Sequence, residues 1–141
     1  MSFLKKLFNH THTYKEDINM TNKDKALALI NTFATGDTDA ANNLLAEGYI
    51  QHNTGIADGL SGLGAALEAL GKQGIQMIYD QTYQVLADGN YGLAVSEGSF
   101  GGAHTSYYDL FRVENGKIVE HWDVMETIAY ESTWQNQNGK F

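Results

Sequence analysis

Apolar residues recur at helical spacing in the first half of the chain. A stripe with a 3.6-residue period predicts a helix from Lys23 to Ala34, capped by Thr21 or Asn22. The stripe consists of Ala26, Leu27, Leu29, Ile30 and Phe33. A shorter apolar helix is predicted between residues 37 and 48, and a third over residues 62–70. The first half of the chain is therefore predicted to be mainly helical.

The spacing of apolar residues changes to a period of two after residue 75, which is typical of strands. Four strands are predicted: Gln76–Ala87, Tyr91–Phe100, Thr105–Val113 and Lys117–Ile128. A short strand, Tyr49–His52, is predicted between the second and third helices. Helices gathered on one face of an antiparallel sheet make an α+β fold. We therefore expect a curved antiparallel sheet wrapped around three N-terminal helices, with a concave pocket between them.

The turn Asn115-Gly116 predicts how the last two strands pair. With a two-residue loop, Val113 opposes Ile118 and Asp109 opposes Trp122, and opposed residues share a face. One face then consists of Asp109, Phe111, Val113, Ile118, Glu120, Trp122 and Val124. The other face consists of Tyr108, Leu110, Arg112, Val119, His121 and Asp123. A one-residue bulge would reverse one strand relative to the other.

Two acids in the predicted strands are candidates for burial. Asp109 lies among apolar side chains, where an acid either finds a partner or has a raised pKa. Glu97 shares a face with Leu93 and Val95. It is either a second buried acid or a residue near a strand end in water.

Polar residues also lie next to the core in the triplet Gln51-His52-Asn53. From spacing alone, His52 is either a hydrogen-bonded structural residue or part of a pocket. His10 and His12 could hold a metal, but nothing nearby supplies a third ligand, so no metal is expected.

Composition and charge exclude several classes of function. The chain has no cysteine, which removes disulfides and thiolate chemistry. Its net charge of -8 argues against a nucleic-acid partner. No apolar run is long enough to span a membrane, and no signal-peptide segment follows MSFLKKLF. We expect a cytoplasmic protein with a flexible extension over residues 1–20 and one domain over residues 21–141. A short amphipathic surface anchor is the alternative for the extension.

Four segments of the chain, in this order, resemble SnoaL-like proteins of the nuclear-transport-factor-2-like superfamily: YIQHN, ADGLSGLGAAL, VSEG and YDLFRVENGKIVEHWDV. The resemblance covers about residues 22–141, and residues 108–124 are its most specific part. The closing WQNQNGKF is similar to the end of a bacterial subgroup. The resemblance implies a cone-shaped α+β fold, in agreement with the helix and strand pattern.

The superfamily includes polyketide cyclases, ketosteroid isomerases and non-catalytic binding modules, so the implied fold does not decide the function. By position, Asp109 is similar to the protonated acid that donates a hydrogen bond to an oxyanion in ketosteroid isomerases. His52 or Asn53 falls near the catalytic base of those enzymes. This chain has His-Asn where the isomerase has an acidic base, so no named activity is carried over.

The sequence leaves two functions open. As an enzyme, the protein would transfer a proton on a small apolar carbonyl compound, by isomerisation or aldol-type cyclisation. His52 would be the base and Asp109 the hydrogen-bond donor to the oxyanion. The ligand-binding residues would be Tyr49, Gln51, Asn53, Glu97, Phe111 and Trp122. As a non-catalytic module, the protein would bind an apolar ligand in the same pocket or serve in dimeric association.

Partner expectations are the same for both functions. No cofactor is expected, and neither a nucleic-acid nor a membrane partner. A homodimer is expected through an exposed sheet face that carries Tyr108, Leu110, Val119 and His121.

Overall fold

The computed structural model describes residues 20–141, and the predicted extension over residues 1–20 lies outside them apart from Met20. The elements in chain order are α1 (Asn22–Thr35), α2 (Thr38–Leu44), β1 (Leu45–Gln51), α3 (Gly59–Lys72), β2 (Met77–Asp88), β3 (Tyr91–Phe100), β4 (Ala103–Glu114) and β5 (Lys117–Thr127). A short 3-10 helix, Glu131–Thr133, follows. The α+β prediction is confirmed. Within residues 20–141, no helix is both long and apolar enough to cross a membrane.

The five strands form one sheet in the order β1-β5-β4-β3-β2. Strands β2 to β5 make the predicted antiparallel meander. Strand β1 runs parallel to β5 at one edge, so the sheet is mixed. The sequence did not assign a partner to the short strand, because β1 pairs with a strand that lies about 70 residues further along the chain. A local pattern of apolar residues does not specify such a partner or its direction.

Helix α1 begins and ends within one residue of the prediction, and Thr21 caps it as expected. Thr21 Oγ1 accepts a hydrogen bond from the Asp24 backbone N–H at 3.1 Å, and Asp24 Oδ2 accepts one from the Thr21 backbone N–H at 3.0 Å. This reciprocal pair is a capping box. Gly36, with φ 71°, closes the helix in the left-handed conformation. The helix packs across β2 and β3 and covers the inner face of the sheet.

The β4–β5 hairpin starts in the predicted register and then leaves it. The first two residues on each side of Asn115-Gly116 pair as expected, and both turn residues have positive φ. Val119 is then an extra residue in β5, a β-bulge, and Arg112 opposes Glu120 beyond it. Every later pair in the hairpin is shifted by one residue relative to the prediction.

The bulge reverses which side chains of β5 face the helices. The inward set contains Asp109, Phe111, His121 and Asp123. The prediction that Glu120, Trp122 and Val124 share the face of Asp109 is therefore wrong. The placement of His121 and Asp123 on the outer face is wrong for the same reason. The bulge moves His121 into contact with the buried carboxyl group of Asp109.

The hydrophobic core lies between the helices and the inner face of the sheet. Its buried members are Ala26, Leu29, Ile30, Ala41, Leu45, Tyr49, Tyr79, Ala94, Tyr107, Phe111, Val113 and Ile118. Aromatic rings of β2 and β4 stack within it, with 4.2 Å between the ring centroids of Tyr79 and Tyr107. The polar site described below is built into this core.

Gly98 on β3 lies opposite Tyr79 of β2. Because Gly98 has no side chain, the backbone of β2 can come close to β3 at this point. A Cβ atom at Gly98 would lie 1.7 Å from the Ile78 carbonyl oxygen. We expect Gly98→Ala to lower the free energy of unfolding by about 1–3 kcal/mol, because the backbone of β2 must move away. Urea unfolding followed by circular dichroism measures this loss.

Gly64 offers a matched control for that substitution. It lies inside α3, and a Cβ there would meet nothing within 4 Å. Gly64→Ala should raise the free energy of unfolding by roughly 0.5–1 kcal/mol, because alanine loses less backbone entropy in a helix. Equal effects at Gly98 and Gly64 would contradict the steric argument.

Candidate functional site

A buried pair of titratable side chains lies on the inner face of the sheet. Asp109 on β4 is 1% exposed, and His121 on β5 is 8% exposed. His121 Nε2 lies 2.9 Å from Asp109 Oδ1. Tyr79 on β2 donates its hydroxyl hydrogen to Asp109 Oδ2 at 3.1 Å. Side chains from three strands therefore meet at one carboxyl group.

Strand β1 and the residues after it orient the imidazole of His121. Gln51 Oε1 accepts a hydrogen bond from the Asn53 backbone N–H at 3.0 Å, which identifies the oxygen of the Gln51 amide. His121 Nδ1 lies 3.0 Å from the same oxygen, so Nδ1 carries a hydrogen and donates it. Gln51 Nε2 donates in turn to the Tyr49 hydroxyl at 3.2 Å. The imidazole is held with Nδ1–H toward β1 and Nε2 toward Asp109.

A single proton lies between His121 Nε2 and Asp109 Oδ1. Because Nδ1 already carries a hydrogen, the 2.9 Å contact joins either a protonated Asp109 to a neutral imidazole, or a carboxylate to an imidazolium. The two forms bind the same number of protons and differ only in where one proton lies. The shared proton can therefore move between the two residues without a change in the net charge of the pair.

Burial raises the pKa of Asp109 above its ordinary value, against the opposing effect of the hydrogen bonds from His121 and Tyr79. The charge of Asp123 acts in the same direction as burial. A raised pKa brings the carboxyl group closer to neutral pH, where it both accepts and returns a proton efficiently.

Tyr79 remains a hydrogen-bond donor at neutral pH. Burial raises the pKa of its hydroxyl well above the ordinary value, and the nearby Asp109 raises it further. Its ring also lies against Phe33 of α1, with the ring centroids 6.1 Å apart. Burial likewise raises the pKa of the neighbouring Tyr107 to about 12. Tyr79 is therefore a neutral O–H group, fixed by its neighbours and directed at the carboxyl group.

His52 lies on the other side of β1, away from this site. Alternation along the strand directs Gln51 inward and His52 outward. Its imidazole is 41% exposed, stacks on Trp122 with 4.6 Å between ring centroids, and lies 2.8 Å from Glu120 Oε1. The expectation that His52 and Asp109 point into one cavity is corrected, because an outward side chain cannot reach the inner face. The bulge in β5 likewise places Trp122 on the outer face of the sheet.

Glu97 also lies on the outer face and makes no contact with Asp109. Its carboxylate accepts a hydrogen bond from the Tyr83 hydroxyl at 2.7 Å and lies 2.6 Å from His104 Nε2. The hydrogen bond from Tyr83 lowers the pKa of Glu97, and His104 lowers it further. The structure therefore excludes a second buried acid; Glu97 lies near the end of β3 and is partly exposed, but it is paired rather than free in water.

Of the other predicted ligand-binding residues, Tyr49, Gln51 and Phe111 face inward, and Asn53 contacts the inward-facing Asp123. Phe111 stacks beneath His121, with 4.9 Å between the ring centroids. Burial raises the pKa of the Tyr49 hydroxyl. Asn53 donates from Nδ2 to Asp123 Oδ2 at 2.9 Å. Tyr49, Gln51 and Phe111 line the same small cavity as Asp109 and His121.

Two neighbouring cavities lie between the helices and the sheet. The small one, of about 40 Å³, is bounded at its polar end by Asp109, His121 and Asp123. The large one, of about 500 Å³, lies among α1, α2, α3 and the start of β2. Three half-buried residues line both: Phe33, Leu63 and Met77. The shared wall places the polar pair close to a mainly apolar space.

Among the described residues, Asp109, His121 and Asp123 are also close enough to hold a cation, since one ligand atom of each lies within 4.8 Å of the others. Imidazole and carboxylate ligands suit several divalent metals. In the observed arrangement, both ring nitrogens of His121 and both oxygens of Asp109 already have hydrogen-bond partners. A cation would have to replace the bond between the two residues.

Sequence reasoning did not identify His121, Tyr79 or Asp123 as site residues. One signal for His121 and Asp123 was available, namely the possibility of a one-residue bulge in the last hairpin. A shift of one residue in β5 places both side chains on the same face as Asp109. Tyr79 had no comparable signal, because β2 is separated from β4 by a full strand.

The SnoaL-like domain family model matches residues 26–121, which is more than half of the chain. The chain therefore belongs to the SnoaL-like family, and the predicted resemblance is confirmed. No curated protein matches its sequence significantly.

Solved structures of the nuclear-transport-factor-2-like fold are similar to this chain. An NTF2-like protein of unknown function from Cytophaga hutchinsonii is 18% identical, with a TM-score of 0.65, over 77% of this chain and 92% of that chain. A proposed polyketide cyclase from Sinorhizobium meliloti is 16% identical, with a TM-score of 0.62, over 77% and 98%. A proposed ketosteroid isomerase from Kribbella flavida is 15% identical, with a TM-score of 0.65, over 84% and 91%. At these identities the likeness establishes the fold alone.

Proposed function

We propose that the protein binds a small, mainly apolar carbonyl compound and transfers a proton at the carbon next to the carbonyl group, without a cofactor. The observation that carries this proposal is the buried Asp109–His121 pair, which shares one proton and borders a cavity. Asp109 takes the part of the base, in place of His52. Neighbours described as a polyketide cyclase and a ketosteroid isomerase are consistent with chemistry of this class.

The contacts support a definite sequence of events. The carbonyl oxygen of the substrate accepts the hydrogen bond of the Tyr79 hydroxyl, which frees Asp109 Oδ2. In the ion-paired form, Asp109 Oδ2 takes the proton from the neighbouring carbon. The electron pair of the broken C–H bond forms the C=C bond of an enolate, and the carbonyl oxygen takes the negative charge. Tyr79 stabilises that oxygen by hydrogen bonding in a site largely without water.

His121 supports this step without touching the substrate carbon. As an imidazolium, it keeps Asp109 ionised although the carboxylate is buried. Gln51 fixes the orientation of the ring by accepting from Nδ1–H. Return of this proton from Asp109 to another carbon completes an isomerisation. In deuterated buffer, Asp109 exchanges the proton for a solvent deuteron and delivers the deuteron to the same carbon, which completes the exchange.

Exchange of hydrogen for deuterium next to a ketone tests this proposal directly. The protein is incubated with 2-butanone in deuterated buffer, and the loss of the C1 and C3 proton signals is followed by NMR. We expect faster exchange than in buffer alone and than with heat-unfolded protein. Equal rates in all three samples, repeated with longer ketones, would rule out the proposal.

A second candidate function is ligand binding without turnover. Within residues 20–141, every buried side-chain nitrogen and oxygen has a hydrogen-bond partner. A fully paired site favours a stable binding pocket, since catalysis requires the Tyr79–Asp109 bond to open. Saturable ketone binding with no deuterium exchange would select this alternative.

We also propose a homodimer through the outer face of β4 and β5. Large side chains are exposed there, and Val124 is 65% exposed. Tyr108, Leu110 and Trp122 share this face, whereas His121 does not belong to it. Burying such a patch against a second copy would remove apolar surface from water.

Light scattering after size exclusion checks this expectation. The mass should be about twice the chain mass of 15.5 kDa. Val124→Glu should halve it, because two carboxylates would face each other across the symmetric contact. Val124→Thr is the control of similar size. A strict monomer at high concentration would contradict the proposal.

A further inference from the structure

The cavities limit the shape of the ligand that could reach Asp109. A space of about 40 Å³ holds one small group, since a water molecule occupies roughly 30 Å³ in the liquid. A six-membered ring does not fit there. The body of any larger ligand must therefore remain in the cavity of about 500 Å³. Phe33, Leu63 and Met77, which line both cavities, then lie between that body and the carboxyl group.

The walls of the large cavity favour an apolar chain. Its inner part is lined by Phe33, Leu60, Leu63, Leu67, Leu70, Ile75 and Met77. Polar side chains, namely Asp37, Thr38, Asn42 and Ser61, lie at its exposed rim. A chain that enters between them loses its contact with water along most of its length.

The charges around both cavities favour a neutral ligand. Among the described residues that line them, none is Lys or Arg. The inner end instead carries two acids, Asp109 and Asp123, with His121 hydrogen-bonded to the first. A carboxylate on the ligand would be repelled by these two acids, and no lysine or arginine among the lining residues would offset the repulsion. An ammonium would lose its water in an apolar passage before it reached them.

Resting on the function proposed above, we infer that the ligand is an unbranched, uncharged molecule with a carbonyl group next to one end. Its chain fills the large cavity, and its carbonyl end passes Phe33, Leu63 and Met77 to reach Tyr79 and Asp109. Met77 is the residue that decides how far the end enters, because it is half-buried, unbranched and lines both cavities.

Calorimetric titration of a homologous series tests the chain. From 2-butanone to 2-octanone, affinity should rise roughly three- to fourfold for each added methylene group. At pH 7.5, octanoate and octylamine should both bind more weakly than 2-octanone. Affinity that does not change with chain length, or tighter binding of either charged compound, overturns the inference.

Deuterium exchange tests the position of the carbonyl group. 4-Octanone has the same atoms as 2-octanone but carries its carbonyl in mid-chain, so we expect its exchange to be slower by about tenfold or more. Met77→Phe should remove this difference by filling the passage, while apolar binding remains. Leu67→Phe, which alters only the large cavity, should instead move the best chain length to shorter ketones. Glu68→Gln, exposed on the same helix and paired with Lys72, should behave as the unaltered protein.

The two proposals fail in different ways. If affinity rises with chain length but no ketone exchanges, the proton-transfer function is wrong and the ligand class stands. If cyclohexanone and 4-octanone exchange as fast as 2-octanone, the function stands and the inference about the ligand is wrong. These outcomes do not depend on the folding of any variant, because the unaltered protein supplies both.

Discussion

Asp109→Asn should lower the rate of ketone deuterium exchange by about 10²- to 10⁴-fold, the usual contribution of a positioned base. An amide cannot take a proton from carbon. It can keep the hydrogen bonds of the site, since its nitrogen can donate to His121 Nε2 and its oxygen can accept from the Tyr79 hydroxyl. The variant should therefore fold and bind ketones while it loses exchange, which separates chemistry from structure.

The same variant should change how stability depends on pH. Burial raises the pKa of Asp109 above 3.8, so the folded protein binds more protons than the unfolded chain between that value and the raised pKa. The contribution of this carboxyl group to the free energy of unfolding therefore falls as pH rises through that interval. Other acids, such as Glu97, act in the opposite sense because their pKa is lowered. Urea unfolding at several pH values should thus show a stability difference between Asp109→Asn and the unaltered protein that grows in favour of the variant as pH rises.

His52→Ala is the matched control for exchange activity. His52 is an outward imidazole that contacts Glu120 and Trp122 but not the cavity. Its backbone N–H, which donates to the His121 carbonyl oxygen at 2.9 Å, is kept in the variant. We expect ketone exchange at the rate of the unaltered protein. A large loss with His52→Ala and none with Asp109→Asn would reverse our assignment of the base.

Phe111→Ala should lower the free energy of unfolding by about 3–5 kcal/mol. Phe111 is 0% exposed, lies on β4, the central strand of the sheet, and belongs to the core. Its truncation would leave a cavity beneath the ring of His121, whose centroid lies 4.9 Å away. Such a loss is a large part of the roughly 5–15 kcal/mol that stabilises a typical domain. Urea unfolding measures it.

Phe141→Ala is the control for that measurement. This phenylalanine is partly exposed at the end of the chain and stacks on Tyr83, with 4.6 Å between ring centroids. Its loss should cost only about 0.5–1.5 kcal/mol, the usual range for an aromatic pair. If the two substitutions had the same effect, Phe111 would not hold the position in the core that its burial indicates.

Much of the fold could be predicted from the sequence, because the information is local. Helix α1 has a capping box at Thr21 and a glycine at its end, and β2 to β5 alternate between apolar and polar residues. The Asn115-Gly116 turn was identified from two residues. In the site, Asp109 was recognised as an acid among apolar neighbours, which its own strand is sufficient to indicate.

Long-range contacts decided the rest. Strand β1 pairs in parallel with β5, and β2 brings Tyr79 to a carboxyl group two strands away; neither contact has a signal in the nearby sequence. His121, and not His52, meets Asp109, because one extra residue in β5 reverses the faces beyond it.

The amino-acid sequence by itself therefore determined the elements, the family and one buried acid, since these depend on neighbouring residues. The tertiary structure alone decided which histidine meets that acid. A bulge changes the register at little local cost, and its position depends on the packing of the whole sheet, where burial of His121 against Asp109 and Phe111 stabilises one register.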